Sequence, residues 1–165
     1  MYETIEALQA LEESYFIDFI PYDIADSKFL ELELFFEDTY LSQFSEKLAR
    51  IALKLIYYYP CEIYLTEAVI PSSVEKFDFP FDVNIRDHTP NNLSYVIQQI
   101  VSKDFSSVQI LFTAPQFLIS FYGGFSNSIY QPSDESLQIL KRLVAQEGLF
   151  LKHKNVMNGN FDLVG

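Results

Sequence analysis

Asp78, Asp82, Arg86, Asp87 and His88 fall within eleven residues of one another. These are side-chain types that move protons or hold a metal ion, and Asp87-His88 with Asp82 has the make-up of an acid–base pair or a metal site. A zinc hydrolase, however, draws on several nitrogen or sulfur ligands. The chain has two histidines and one cysteine, and the second histidine, His153, lies far along the chain between Lys152 and Lys154. The segment also carries Phe77, Phe79 and Phe81 between prolines. The expectation is an ion-paired loop anchored by its phenylalanines. An enzyme of unrecognised type working through the 71–89 loop, with Asp82, Arg86, Asp87 and His88 as its site, is the alternative. No catalytic residue is assigned, and no metal or other cofactor is implied.

A second constellation is electrostatic. Eleven of the 23 acids lie in the first 38 residues, where Lys28 is the only base, leaving a local charge of −10 out of a total of −12. A field of one sign steers opposite charge at long range and repels nucleic acid and anionic lipid. The segment Phe29-Leu-Glu-Leu-Glu-Leu-Phe-Phe36 alternates with period two, which predicts a strand with Phe29, Glu31, Glu33 and Phe35 on one face. Carboxylates flanked by aromatic rings suit a protein interface, with rings supplying contact area and charges supplying steering. The residues expected to meet a basic protein partner are therefore Asp18, Asp23, Asp26, Phe29, Glu31, Glu33 and Phe35.

Other chemistry is disfavoured. The Asp23 loop lacks the glycine and the spaced glutamate of an EF-hand. No carboxylate pair stands out for glycoside hydrolysis. Five glycines form neither of the phosphate-cradling patterns, and no serine sits in a nucleophile elbow. No basic patch is larger than Lys47, Arg50 and Lys54, too small to favour nucleic-acid binding against the overall field. Cys61 is alone, so it forms no internal disulfide, and its apolar setting predicts a buried, inert thiol.

The elements that must position these residues point to an α+β domain over residues 1–153 with a polar, frayed tail over 154–165. A mostly antiparallel sheet carries about four helices, packed mainly on one face. Ile5, Leu8 and Leu11 predict a short acidic helix. Tyr15 to Ile20 predicts a strand that forms a hairpin with the 29–36 run. Phe44, Leu48, Ile51 and Leu55 mark a long helix from about Thr39 to Tyr58, started by Asp38 or Thr39. Thr89-Pro90 and Pro132-Ser133 open two more helices. Gly123-Gly124, between two alternating runs, predicts a tight hairpin.

The chain starts Met-Tyr-Glu-Thr-Ile-Glu, acidic where a secretory signal is basic. No apolar run approaches the ~18 residues of a membrane span. A soluble, cytoplasmic, non-enzymatic binding or inhibitor module is expected. In size, charge and lack of catalytic motif the chain resembles small acidic cytoplasmic proteins that inhibit basic nucleases, such as bacterial immunity proteins and DNA mimics. That resemblance lies in composition. A self-associating structural domain, joined through exposed tyrosines, is a further alternative, and the sequence sets no oligomeric state.

Overall fold

The computed structural model describes residues 1–22, 26–66, 78–155 and 160–164. In chain order its elements are α1 (Tyr2–Gln9), β1 (Glu13–Asp18), α2 (Asp26–Thr39), α3 (Leu41–Tyr58), β2 (Cys61–Leu65), α4 (Pro90–Lys103), β3 (Val108–Thr113), β4 (Gln116–Gly123), β5 (Ser126–Tyr130), α5 (Asp134–Gln146), β6 (Phe150–Asn155) and β7 (Asn160–Leu163). The seven strands form one sheet in the order β2-β3-β4-β5-β1-β6-β7, and every neighbouring pair is antiparallel. The fold is α+β, with five helices among the described residues.

Alternation builds the centre of the sheet. Ile110 faces Ile119 and Phe112 faces Phe117 across β3 and β4, so odd and even positions separate onto two faces. Gly123 and Gly124 make the next turn at φ +103 and +56. A Cβ on Gly123 would meet the Asp104 carboxylate and lie 3.0 Å from the Asp104 Cα, so this position favours glycine for space as well as for backbone freedom.

One sheet face carries Ile17, Ile63, Ile110, Ile119, Ile129 and Leu151, packed with Phe44, Leu48, Ile51 and Leu55 of α3, Leu93, Val96 and Ile97 of α4, and Leu140 and Val144 of α5. Each such side chain, fully buried, contributes roughly 1.5–3 kcal/mol. The helix starts follow from their caps. Thr89 Oγ1 accepts from Asn92 N at 3.3 Å, and Ser133 Oγ accepts from Ser136 N at 3.1 Å. On the opposite face, Ile5 and Leu8 of α1 pack over Tyr64, Leu111, Leu118 and Tyr130.

Four expectations are corrected. The 29–36 run is helical, inside α2, and forms no hairpin with β1. Instead β1 lies between β5 and β6. Asn127 helps to hold it there: its Oδ1 accepts from Ile17 N at 2.7 Å and its Nδ2 donates to Ile17 O at 2.9 Å. Leu11 lies beyond the end of α1 and is 40% exposed. Thr39 does not cap α3; the cap position is Tyr40, and Thr39 Oγ1 donates back to Phe35 O at 3.0 Å. Within the expected tail, Asn160–Leu163 forms β7, paired along β6 with Lys152 opposite Leu163.

Candidate functional site

A helix turns 100° per residue, so Glu31 and Glu33 leave α2 on opposite sides, whereas a strand would have aligned them. The expected shared stripe splits in two. Phe29 and Glu33, one turn apart, are half-buried with Leu32 and Phe36. Phe36 sets its ring edge-on to Phe19, centroids 5.3 Å apart, and Phe19 packs against Phe125 at 4.6 Å. Glu31 and Phe35, also one turn apart, face outward. With them stand Leu30, Leu34, Glu37 and Asp38. Leu30, Leu34 and Phe35 are 57%, 54% and 60% exposed. The outward face of α2 therefore interleaves three large apolar side chains with three exposed carboxylates.

Asp18 stands elsewhere and is already paired. It is buried at the end of β1, where Oδ2 accepts from Lys152 Nζ at 2.8 Å and Oδ1 from Phe19 N at 2.8 Å. Lys152 also donates to Tyr22 O at 3.2 Å. A carboxylate committed to a buried ion pair cannot meet a partner without exposing that lysine. Its expected docking role is thus replaced by a structural one. Burial pushes the Glu33 carboxyl up, and the charges of Glu37 and Asp18 add to this. Asp23 lies outside the described residues, and Asp26 begins α2.

Lys28 of α2 is itself exposed, three residues before Glu31, but the bases of the neighbouring α3 do not neutralise this face. Arg50 grips Glu147 with two hydrogen bonds of 2.9 and 2.8 Å, and this holds the Glu147 carboxyl below its usual range. Lys54 donates to Gln146 at 3.3 Å, while Lys47 donates to the Tyr40 hydroxyl at 3.1 Å. Among the described residues no ion pair joins these bases to α2.

The described part of the 71–89 loop, from Asp78, covers the outer edge of β2. Asp82 N donates to Leu65 O, Ile85 N donates to Ile63 O, and Asn84 Oδ1 accepts from Ile63 N. An otherwise open strand edge is closed this way. The four candidate residues of the loop point to different neighbours. Asp82 accepts from the Tyr2 hydroxyl of α1. Arg86 donates to Ile56 O at 3.3 Å and lies over the Tyr57 ring. The His88 ring packs on Phe79, and Asp87 is exposed. Cys61, expected to be buried, is half-buried beside Arg86 of the loop; burial pushes its thiol up, with Arg86 opposing. Among the described residues no three His, Cys, Asp or Glu side chains come together in a way that could hold a metal ion. Among the same residues no helix is long and apolar enough to cross a membrane.

Sequence reasoning missed the outward Leu30 and Leu34, and it missed the Asp18–Lys152 pair. The first carried a signal: Glu, Leu and Lys are strong helix formers, and neither Gly nor Pro interrupts the segment. The second joins residues 134 apart in the chain and left none. The chain matches no protein-family model, no curated protein and no solved structure.

Proposed function

We propose that the protein is a non-enzymatic binding or inhibitor module that docks a basic protein partner through the outward face of α2. The observation that carries this is the exposure of Leu30, Leu34 and Phe35 among Glu31, Glu37 and Asp38. A face that served solubility alone would have no use for three apolar side chains more than half exposed. A helix offering apolar anchors one turn apart, rimmed by charge, is the form that seats in a partner's apolar groove. The carboxylates select a groove with a basic rim and speed the encounter. Nucleic acid is disfavoured by the same field. Competition with a polyanion for a cationic protein, in the manner of an immunity protein or DNA mimic, is the role this face fits best.

The test starts by capturing partners from native lysate and identifying them. Association rates of the purified pair are then measured at low and high salt. The charge-reversed Glu31→Lys/Glu37→Lys variant should associate tenfold or more slowly at low salt, with the gap closing as screening rises. An association rate that this reversal leaves unchanged removes α2 as the docking face.

A further inference from the structure

We propose that the cleft at the start of β1 binds a small organic cation, an amine or guanidinium carried on a short apolar chain. The cleft has a volume of about 810 Å³ and is lined by Leu11, Glu12, Glu13, Tyr15, Gln131 and Asn155, among others. That is the size of a small-molecule site, roughly 300–1,000 Å³. It shares Leu11 and Gln131 with a second hollow of about 440 Å³ along α1, where Glu3 and Ala7 form part of the wall.

Strand register explains the lining. Glu13 lies opposite Asn155 and Tyr15 opposite His153, so all four side chains share one face of β1 and β6. The Tyr15 and His153 rings pack 4.9 Å apart, and His153 Nε2 lies 2.8 Å from Glu13 Oε1. The packed ring and the tethered carboxylate give the cleft one firm wall. Glu13 remains 60% exposed and Glu12 is exposed beside it.

Carboxylates alone would mark only a solvated surface. Here they border a cavity that also has an apolar side chain, an aromatic wall and two amides, and among the described residues no Lys or Arg lines either hollow. A bare metal ion does not suit the lining, since among the described residues no trio of candidate ligands converges. An alkyl cation does. Its charged head meets Glu12 and Glu13, its body lies on Leu11 and Tyr15, and the aromatic face attracts the same charge. This cleft and the α2 face are at opposite ends of β1, so either assignment can fail without the other.

Titration calorimetry of the full chain with spermidine and with agmatine tests the proposal. At least one should bind saturably at one site. Binding should weaken about tenfold or more in Glu12→Gln/Glu13→Gln. It should be unaltered in Glu31→Gln/Glu37→Gln, which removes the same charge from α2. Both pairs are exposed, and circular dichroism confirms that each variant is folded. Absence of saturable binding, equal weakening in both variants, or unchanged binding in Glu12→Gln/Glu13→Gln overturns the assignment. Equal weakening would show attraction to net charge alone.

Discussion

The consecutive helices α2 and α3, separated only by Tyr40, are both rich in Leu and meet opposite fates. α3 buries nine of its residues, whereas none of the described side chains of α2 is fully buried. Apolar content does not separate them; angular phase does. In α3 the residues Phe44, Leu48, Ile51 and Leu55 form one stripe over the sheet. α2 has two stripes on opposite sides. Phe29, Leu32 and Phe36 turn inward, where Phe36 meets Phe19, while Leu30 and Leu34 form a second stripe facing solvent. A helix needs one apolar stripe to pack on its own domain, and the second is what a partner would use.

The largest effect should come from breaking the buried helix. Phe44→Ala removes a fully buried ring and should cost about 3–5 kcal/mol in urea unfolding. A loss under 1 kcal/mol would mean that α3 is far less embedded than its stripe requires. Next comes the ion pair near the inner side of α2. Asp18→Ala takes the paired carboxylate from the Lys152 ammonium, which is 3% exposed, and should cost about 3 kcal/mol. The double change Asp18→Leu/Lys152→Met should recover most of that loss, because no charge is then left buried.

Smaller effects, of about 1 kcal/mol or less, should have opposite pH dependence at Glu33 of α2 and at Glu147, which follows α5 and pairs with Arg50 of α3. The Glu33 carboxyl is raised in the fold, so the folded state holds that proton more tightly. Its contribution therefore becomes more favourable as pH falls from neutral toward the ordinary glutamate value of about 4.3. Glu33→Gln should stabilise at pH 7, and the gain should vanish near pH 4. The Glu147 carboxyl is lowered by Arg50. Its contribution is complete above about pH 4.3 and is lost as pH falls through the lower folded value. Glu147→Gln should destabilise at pH 7 and converge with the parent in acid. Matching pH profiles for the two variants would contradict both assignments. Least of all, Leu34→Ala should change stability by no more than about 0.5 kcal/mol, while weakening capture of any α2 partner.

Much of the architecture could be read where local signals agreed. The α3 stripe, the Thr89 and Ser133 caps and the Gly123-Gly124 turn each have a near-neighbour cause. α2 was misread because its residues satisfy two periods at once: Leu30, Leu32, Leu34 and Phe36 alternate, while Phe29, Leu32, Phe36 and Tyr40 repeat at helical spacing. Helix-forming composition over 14 residues decided between them. β7 was missed for a different reason. Its Asn-Phe-Asp-Leu alternation is only four residues long, too short to stand as a signal, and what makes it a strand is the pairing edge that β6 presents. For the docking residues, the excess of acid was plain in the composition, but the face of each carboxylate depended on the period. Glu31 and Phe35 accordingly stayed together, and Glu33 and Phe29 went to the other side.

The interior place of β1 bears on how the chain is made. Ile17 is bound by Asn127, 110 residues later, and Asp18 by Lys152, 134 residues later. A ribosome therefore delivers β1 before any other strand and its two neighbours, β5 and β6, only near the end. Until then Tyr15, Phe16 and Ile17 wait without their strand neighbours, in the state where nascent chains stick to one another or are held by chaperones. Closure of the sheet is thus a late, slow event of high contact order, and translation stalled before β6 would release a chain in which β1 is an open edge.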